Sequence, residues 1–183
     1  GIECGNDKML ALINKKFTVQ QVRDAVEATD RAGVESEGLF IIGLPGETPE
    51  DTRDTIEFAL SLPLDHIKLN LFVPYPGSDL WDTLVANKEL TNFDFNEYTS
   101  YPSYTGGRVP YTPKGRSHAE LIRLQSTGMR RAMFRWRVIS RELRNFKPTK
   151  LRQYWNAVMS LLFPTVLDER NTIGAATYSV DTE

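Results

Sequence analysis

The sequence predicts an α/β fold of parallel strands joined by right-handed crossover helices. Three observations predict it. Gly38–Ile42 is a continuous apolar run of strand length, His66 to Val73 alternates cleanly, and a capped helix start follows each strand end. Strand, helix, strand, helix, strand at roughly 30-residue spacing is the pattern of crossover-linked parallel strands.

Taken in order, Gly1–Cys4 reads as the end of a strand and Asp7 to Ile13 as a short helix. A longer helix follows over Thr18 to Ala32, with Thr18 as N-cap, Gln21 in the capping-box position and Gly33 as the stop. Val19, Val22, Val26 and Thr29 recur at helical spacing. After the Gly38–Ile42 strand comes a tight turn at Gly43-Leu44-Pro45-Gly46-Glu47. Thr48 caps the next helix, with Pro49 at its first position and Asp51 closing a second capping box. In the last strand Ile67, Leu69, Leu71 and Val73 share one face, and Lys68, Asn70 and Phe72 the other. Pro74-Tyr75-Pro76-Gly77 ends it, and Ser78 caps a helix carrying Leu80, Trp81, Leu84 and Val85.

Three strands are too few for a closed barrel, so they read as part of a larger sheet. The chain opens at Gly1 inside a strand-like run with no Met start, and reads as a fragment. The expected organisation is a βα region over 1–91, an aromatic, Gly- and Pro-rich loop or lid over 92–113, a basic helical region over 114–163 and a polar, disordered tail over 164–183. Two helices are expected in the basic region, near 115–145 and 149–162. On the first, Leu121, Gly128, Ala132, Trp136, Ile139 and Leu143 form one stripe, with Arg123, Arg130, Arg137, Arg141 and Arg144 opposite.

The composition, with 40% apolar and 25% charged residues in 183, excludes a disordered chain and a collagen-like repeat. No apolar run approaches the roughly 18 residues of a membrane span. The one cysteine, Cys4, forms no internal disulfide and fits a reducing cytoplasm. The net charge of −2 hides a split: residues 1–107 hold 8 basic and 18 acidic side chains, and residues 108–152 hold 13 and 2. The basic helix face suits docking on the acidic half, a solvated surface, an acidic partner or a membrane surface; it is no strong nucleic-acid signal.

Ligands of parallel α/β folds sit at the carboxyl ends of strands. The turn at Gly43–Thr48 lacks the Lys and Gly spacing of a phosphate loop, and Glu47, Glu50 and Asp51 crowd the helix N-terminus where a phosphate would lie. A zwitterionic or cationic nucleoside is tolerated there. Cys4 reads on its own as a small buried side chain, His66 and His118 as structural, and Asn70 either as a site residue or as a satisfied core polar group.

Gly1-Ile2-Glu3-Cys4-Gly5-Asn6, Lys15-Lys16-Phe17-Thr18, Phe40-Ile41-Ile42-Gly43-Leu44-Pro45-Gly46-Glu47-Thr48 and Pro74-Tyr75-Pro76-Gly77-Ser78, in that order, resemble the second half of a radical S-adenosylmethionine (radical SAM) enzyme core. The similarity is nearest to the group that often carries an N-terminal cobalamin-binding domain. The resemblance implies the C-terminal half of a partial (βα)6 TIM-like barrel, strands four to six, followed by an α-helical C-terminal region. It implies S-adenosylmethionine as cofactor, with Glu3 at its amino-acid or ribose part and Cys4 standing where the family usually has Ser. It places Phe40, Ile42, Gly43, Leu44 and Pro45 along the adenine, and Asn70 near substrate or cofactor. Tyr75 and Pro76 would shape the mouth. The family's CxxxCxxC motif, which holds a [4Fe–4S] cluster, is absent from this chain, so the polypeptide alone is expected to be inactive and its catalytic residues stay unassigned.

In the full protein the cluster would reduce the cofactor to methionine and a 5′-deoxyadenosyl radical acting on a small-molecule substrate. Cobalamin would add methyl transfer or cyclisation. The missing N-terminal half of the same protein is then the first partner. The competing reading is a cluster-free α/β binding module that uses its basic helix to hold an acidic partner, nucleic acid or membrane surface.

Overall fold

The computed structural model describes residues 1–90, 93–95, 98–102, 110–144 and 155. Its elements are α1 (Asp7–Leu12), α2 (Val19–Arg31), β1 (Glu37–Ile42), α3 (Pro49–Ser61), β2 (His66–Leu71), α4 (Asp79–Ala86), α5 (His118–Met133) and α6 (Trp136–Arg144). Both capping boxes form, at Thr18 with Gln21 and at Thr48 with Asp51, and Gly33 takes the positive φ of a helix stop.

β1 and β2 pair in parallel, in register from Glu37 opposite His66 to Ile42 opposite Leu71. The Gly1–Cys4 segment flanks the other edge of β1, where it forms a single parallel bridge, Glu3 to Phe40, rather than a full strand. Three bonds make that contact: Ile2 N–H and Glu3 N–H to the Leu39 carbonyl, and Ile41 N–H to the Glu3 carbonyl at 2.7 Å.

One face of this sheet is fully covered. Phe40, Ile42, Ile67, Leu69 and Leu71 pack with Ile56 and Ala59 of α3 and Leu121 and Ala132 of α5, while Val19, Val22 and Val26 of α2 close the edge of the cluster. Each such large side chain, fully buried, stabilises the fold by roughly 1.5–3 kcal/mol. The opposite face is less covered: Leu39, Ile41 and Asn70 are half-buried and Lys68 is exposed. A second cluster, Cys4, Met9, Leu10, Leu44, Phe72, Leu84, Leu90 and Tyr111, sits at the carboxyl ends of the strands.

Among the described residues the far edge of β2 is met by side chains of α5 and by the Ser100 carbonyl. Gln125 Nε2, fully buried, donates to the carbonyls of Leu69 at 2.9 Å and Ser100 at 2.7 Å. Leu71 N–H donates to the Ser100 carbonyl, and Leu69 N–H points to the Met129 sulfur at 3.4 Å. α5 fits this close to β2 because Gly128 faces Leu69, where an added Cβ would come within 2.8 Å of Leu69 Cδ2.

The helix expected near 115–145 is two helices, broken at Phe134–Arg135. Arg135 turns back across the break and donates to the carbonyls of Leu62 at 3.0 Å and Leu64 at 2.7 Å. The break takes Trp136 off the Leu121–Ala132 stripe and leaves it 74% exposed. Arginines of the last turn of α5 and of α6 meet the acidic half: Arg131 binds Glu57, Arg137 binds Asp30 and Asp65, and Arg141 binds Glu35 and Asp65. The second helix expected near 149–162 and the tail over 164–183 lie outside the described residues, apart from Trp155, as do residues 92, 96–97 and 103–109 of the loop over 92–113. Among the described residues no helix is long and apolar enough to cross a membrane.

Candidate functional site

The strand ends carry the polar groups singled out in the sequence, and each is held differently. Glu3 has φ +74°, the left-handed region that a non-glycine residue enters at a cost of about 1–3 kcal/mol. Its carbonyl is fixed by Ile41 N–H, and its carboxylate lies 3.2 Å from Lys15 Nζ. Lys15 in turn reaches the Gly1 carbonyl and lies 5.7 Å from the centre of the Phe17 ring.

Cys4 is 1% exposed and packs with Met9, Leu10, Leu44 and Phe72. Burial, and then the carboxylates of Glu47, Glu3 and Asp51, push its thiol up to about 12. A thiol so held stays neutral at physiological pH, and metal ligation needs the thiolate.

In the turn after β1, Gly43 and Gly46 adopt φ +83° and +75°. Gly43 lies beneath Leu121 of α5, whose Cδ1 would be 3.2 Å from an added Cβ. Glu47, 5% exposed, folds back over the turn. Its carboxylate accepts from Leu44 N–H at 2.8 Å and from the Thr52 hydroxyl. Burial raises the Glu47 carboxyl above its ordinary range, against the lowering effect of Thr52, of the Leu44 and Gly43 amides and of Arg116. The turn amides are therefore occupied by a carboxylate of the chain itself, which leaves no free cradle for a phosphate. Leu44 is buried in the mouth cluster and Pro45 is half-buried.

Phe40 and Ile42 point into the covered core and are 0% exposed. The β1 side chain on the opposite face is Ile41, which sits directly across from Asn70 of β2. Ile41 and Asn70 line a cavity of about 350 Å³ with Phe72, Tyr75, Ser78 and Ser100. Asn70 Oδ1 is buried there without a hydrogen-bond partner, a condition that costs about 1–3 kcal/mol and calls for a ligand or another explanation. Of the residues named from the sequence, Asn70 and Tyr75 line this cavity; Glu3 and the Gly43–Pro45 turn stand at the neighbouring strand ends. Ile41 was missed, although strand alternation places it opposite Phe40 and Ile42.

No set of side chains here fits an iron–sulfur cluster. Among the described residues no group of three or more His, Cys, Asp or Glu is placed to hold a metal ion, and Cys4 is buried and neutral.

No protein-family model matches the chain. Individual proteins do. An uncharacterized methyltransferase of Pyrococcus horikoshii is 39% identical over 100 residues, 55% of this chain and 22% of that protein. An anaerobic magnesium-protoporphyrin IX monomethyl ester cyclase of Rubrivivax gelatinosus is 32% identical over 54% of this chain and 17% of its own length. A tRNA-2-methylthio-N(6)-dimethylallyladenosine synthase of Fervidobacterium nodosum is 26% identical over 130 residues, 69% of this chain and 25% of that protein. The matches thus span about a sixth to a quarter of the relatives' length. These homologues are members of the radical SAM family, the family that the strand-end turns of this chain resemble.

Proposed function

We propose that this chain is the second half of the core of a radical SAM enzyme, with the Gly1–Cys4 segment, β1 and β2 as barrel strands four to six. The observation that carries this reading is the orphaned Asn70 Oδ1, placed in a cavity at the carboxyl end of parallel strands. The less covered sheet face, with Leu39, Ile41, Lys68 and Asn70, would be the barrel interior, and the side-chain closure at Gln125 would make β2 the last strand of an open barrel.

The residues present fit S-adenosylmethionine. The Glu3 carboxylate, paired with Lys15, would meet the ammonium or the ribose hydroxyls. Backbone along Ile42–Pro45 would flank the adenine, and Asn70 would stand where cofactor borders substrate. The occupied turn amides suit a sulfonium nucleoside that carries no phosphate. Cys4 would support the strand end by packing.

The [4Fe–4S] cluster supplies the electron that breaks the sulfonium bond, and its cysteines would come from the rest of the full-length protein. This chain's residues do not fit it, so their part is to bind and orient the cofactor. Cobalamin would require a further domain outside this chain. A reducing cytoplasm suits such a protein. The binding-module reading gains less support, because Arg131, Arg137 and Arg141 are engaged within the chain.

Calorimetric titration of the full-length, iron- and sulfide-reconstituted protein with S-adenosylmethionine tests the reading. Binding that weakens about tenfold in Asn70→Ala or Glu3→Ala is expected. Absence of binding in the reconstituted wild type would overturn it.

A further inference from the structure

The strand-end cavity has a chemical character of its own. Its lining is apolar or neutral-polar, with no charged side chain among the described residues. Tyr75, 66% exposed, and Leu80, 37% exposed, form its outer lip.

That lip continues into a ring cluster. Trp81 follows Leu80, stacks on Phe95 at 6.0 Å and meets Phe93 edge-on at 5.9 Å, while Tyr98 packs against both Trp81 and Phe95. Phe93 and Phe95 nevertheless remain 51% and 56% exposed. Two segments carry both features: α4 and its cap supply Ser78 and Leu80 to the cavity and Trp81 to the cluster, and the 98–102 segment supplies Ser100 and Tyr98.

Acidic residues flank the described part of the lip in sequence, with Asp79 at the start of α4 and Asp82 one residue after Trp81. Asp79 and Asp82 bracket Leu80 and Trp81, and Asp94 lies between the two exposed phenylalanines. Nucleic-acid sites have the opposite composition, because phosphate contacts by Lys and Arg dominate their affinity.

We propose that the cavity and its aromatic lip receive an uncharged, flat, largely apolar small molecule that presents an N–H or O–H donor to Asn70 Oδ1. The proposal rests on the reading of the neighbouring strand ends as a cofactor site and names the substrate class for it. Aromatic faces at ring-stacking distance hold a flat body without selecting its exact identity, and the one orphaned acceptor fixes its orientation. An anionic head would enter a lining that, among the described residues, offers no cationic side chain to pair with it.

Naphthamide, a neutral fused ring with an amide donor, is the probe. It is titrated into the full-length reconstituted protein, with and without saturating S-adenosylmethionine, alongside naphthoate and a short single-stranded RNA. Naphthamide should bind in the presence of the cofactor, with naphthoate at least tenfold weaker and no displacement by RNA. Asn70→Ala and Phe95→Ala should each weaken it several-fold to tenfold; Phe95 is exposed, so its variant is not confounded by misfolding. Equal binding of naphthoate, displacement by RNA, failure of naphthamide to bind or indifference to both substitutions would overturn the proposal. A separate titration with S-adenosylmethionine alone decides the cofactor reading, so the two can fail independently.

Discussion

Arg116 and Thr52, 64 residues apart, join α5 to the turn after β1. Arg116 Nη1 donates to the Thr52 hydroxyl at 3.0 Å, and that hydroxyl donates to the Glu47 carboxylate, which holds the Leu44 amide. Arg116 is also anchored to Glu120, and its side chain is 3% exposed. The helix that covers β2 thereby fixes the turn assigned to the adenine.

Replacing Arg116 with Met keeps the bulk and removes the donors. The variant should lose about 1–3 kcal/mol in urea unfolding, because Thr52 and Glu47 lose a buried partner. Its affinity for S-adenosylmethionine should fall about tenfold, and Arg116→Lys should restore part of it. An unaltered affinity would mean that Arg116 serves the fold alone.

Glu3 sets up a conflict between stability and function. Glycine adopts φ +74° without strain, so Glu3→Gly should leave stability unchanged or raise it by about 1 kcal/mol, even with the Lys15 pair removed. Cofactor binding should nevertheless weaken. Thermal melting read beside the titration checks both, and a variant that is less stable but binds normally would contradict the assignment.

Cys4 should resist modification. With its thiol at about 12 against an ordinary 9.0, the thiolate fraction at neutral pH is about a thousandfold below that of a free cysteine. Iodoacetamide should label the folded protein at Cys4 only after urea is added. Rapid native labelling would show that the strand end opens.

Asp51 gives stability a pH dependence at the acid end. Burial alone would raise its carboxyl, but Lys8 at 2.5 Å and the Thr48 N–H and hydroxyl outweigh it and hold the group at about 2. Between the ordinary value of 3.8 and about 2, the unfolded chain binds a proton that the folded chain does not. This contribution, on the order of 2 kcal/mol, is therefore complete above the ordinary value and is lost as pH falls through about 2. Urea midpoints of wild type and Asp51→Asn should converge on acidification; a constant gap would argue against an ionised Asp51 as the source.

What was legible in the sequence is local or periodic. Thr18 with Gln21 and Thr48 with Asp51 announce their helices because a capping box lies within four residues. The alternation of Ile67, Leu69 and Leu71 fixes the buried face of β2 because the strand period is two. What escaped depends on distant partners. Nothing near Phe134 breaks a helix; the break comes with Arg135 reaching the Leu62 and Leu64 carbonyls, more than 70 residues back in sequence. Gln125 looks like one more polar helix residue until β2 lies beside it. In the candidate site, Asn70 and the Phe40–Pro45 stretch are named by the family resemblance, with Asn70 lining the cavity and the Phe40 and Ile42 side chains facing the core, whereas Ile41 is hidden inside a continuous apolar run. Arg116 was one base among many in a basic segment.

The most direct measurement of the central claim is turnover of S-adenosylmethionine by the full-length protein, purified without oxygen, reconstituted with iron and sulfide and reduced with dithionite. The account predicts methionine and 5′-deoxyadenosine as products, with Asn70→Ala and Glu3→Ala slower at subsaturating cofactor. A reconstituted protein that holds its iron yet neither binds nor cleaves S-adenosylmethionine would contradict it.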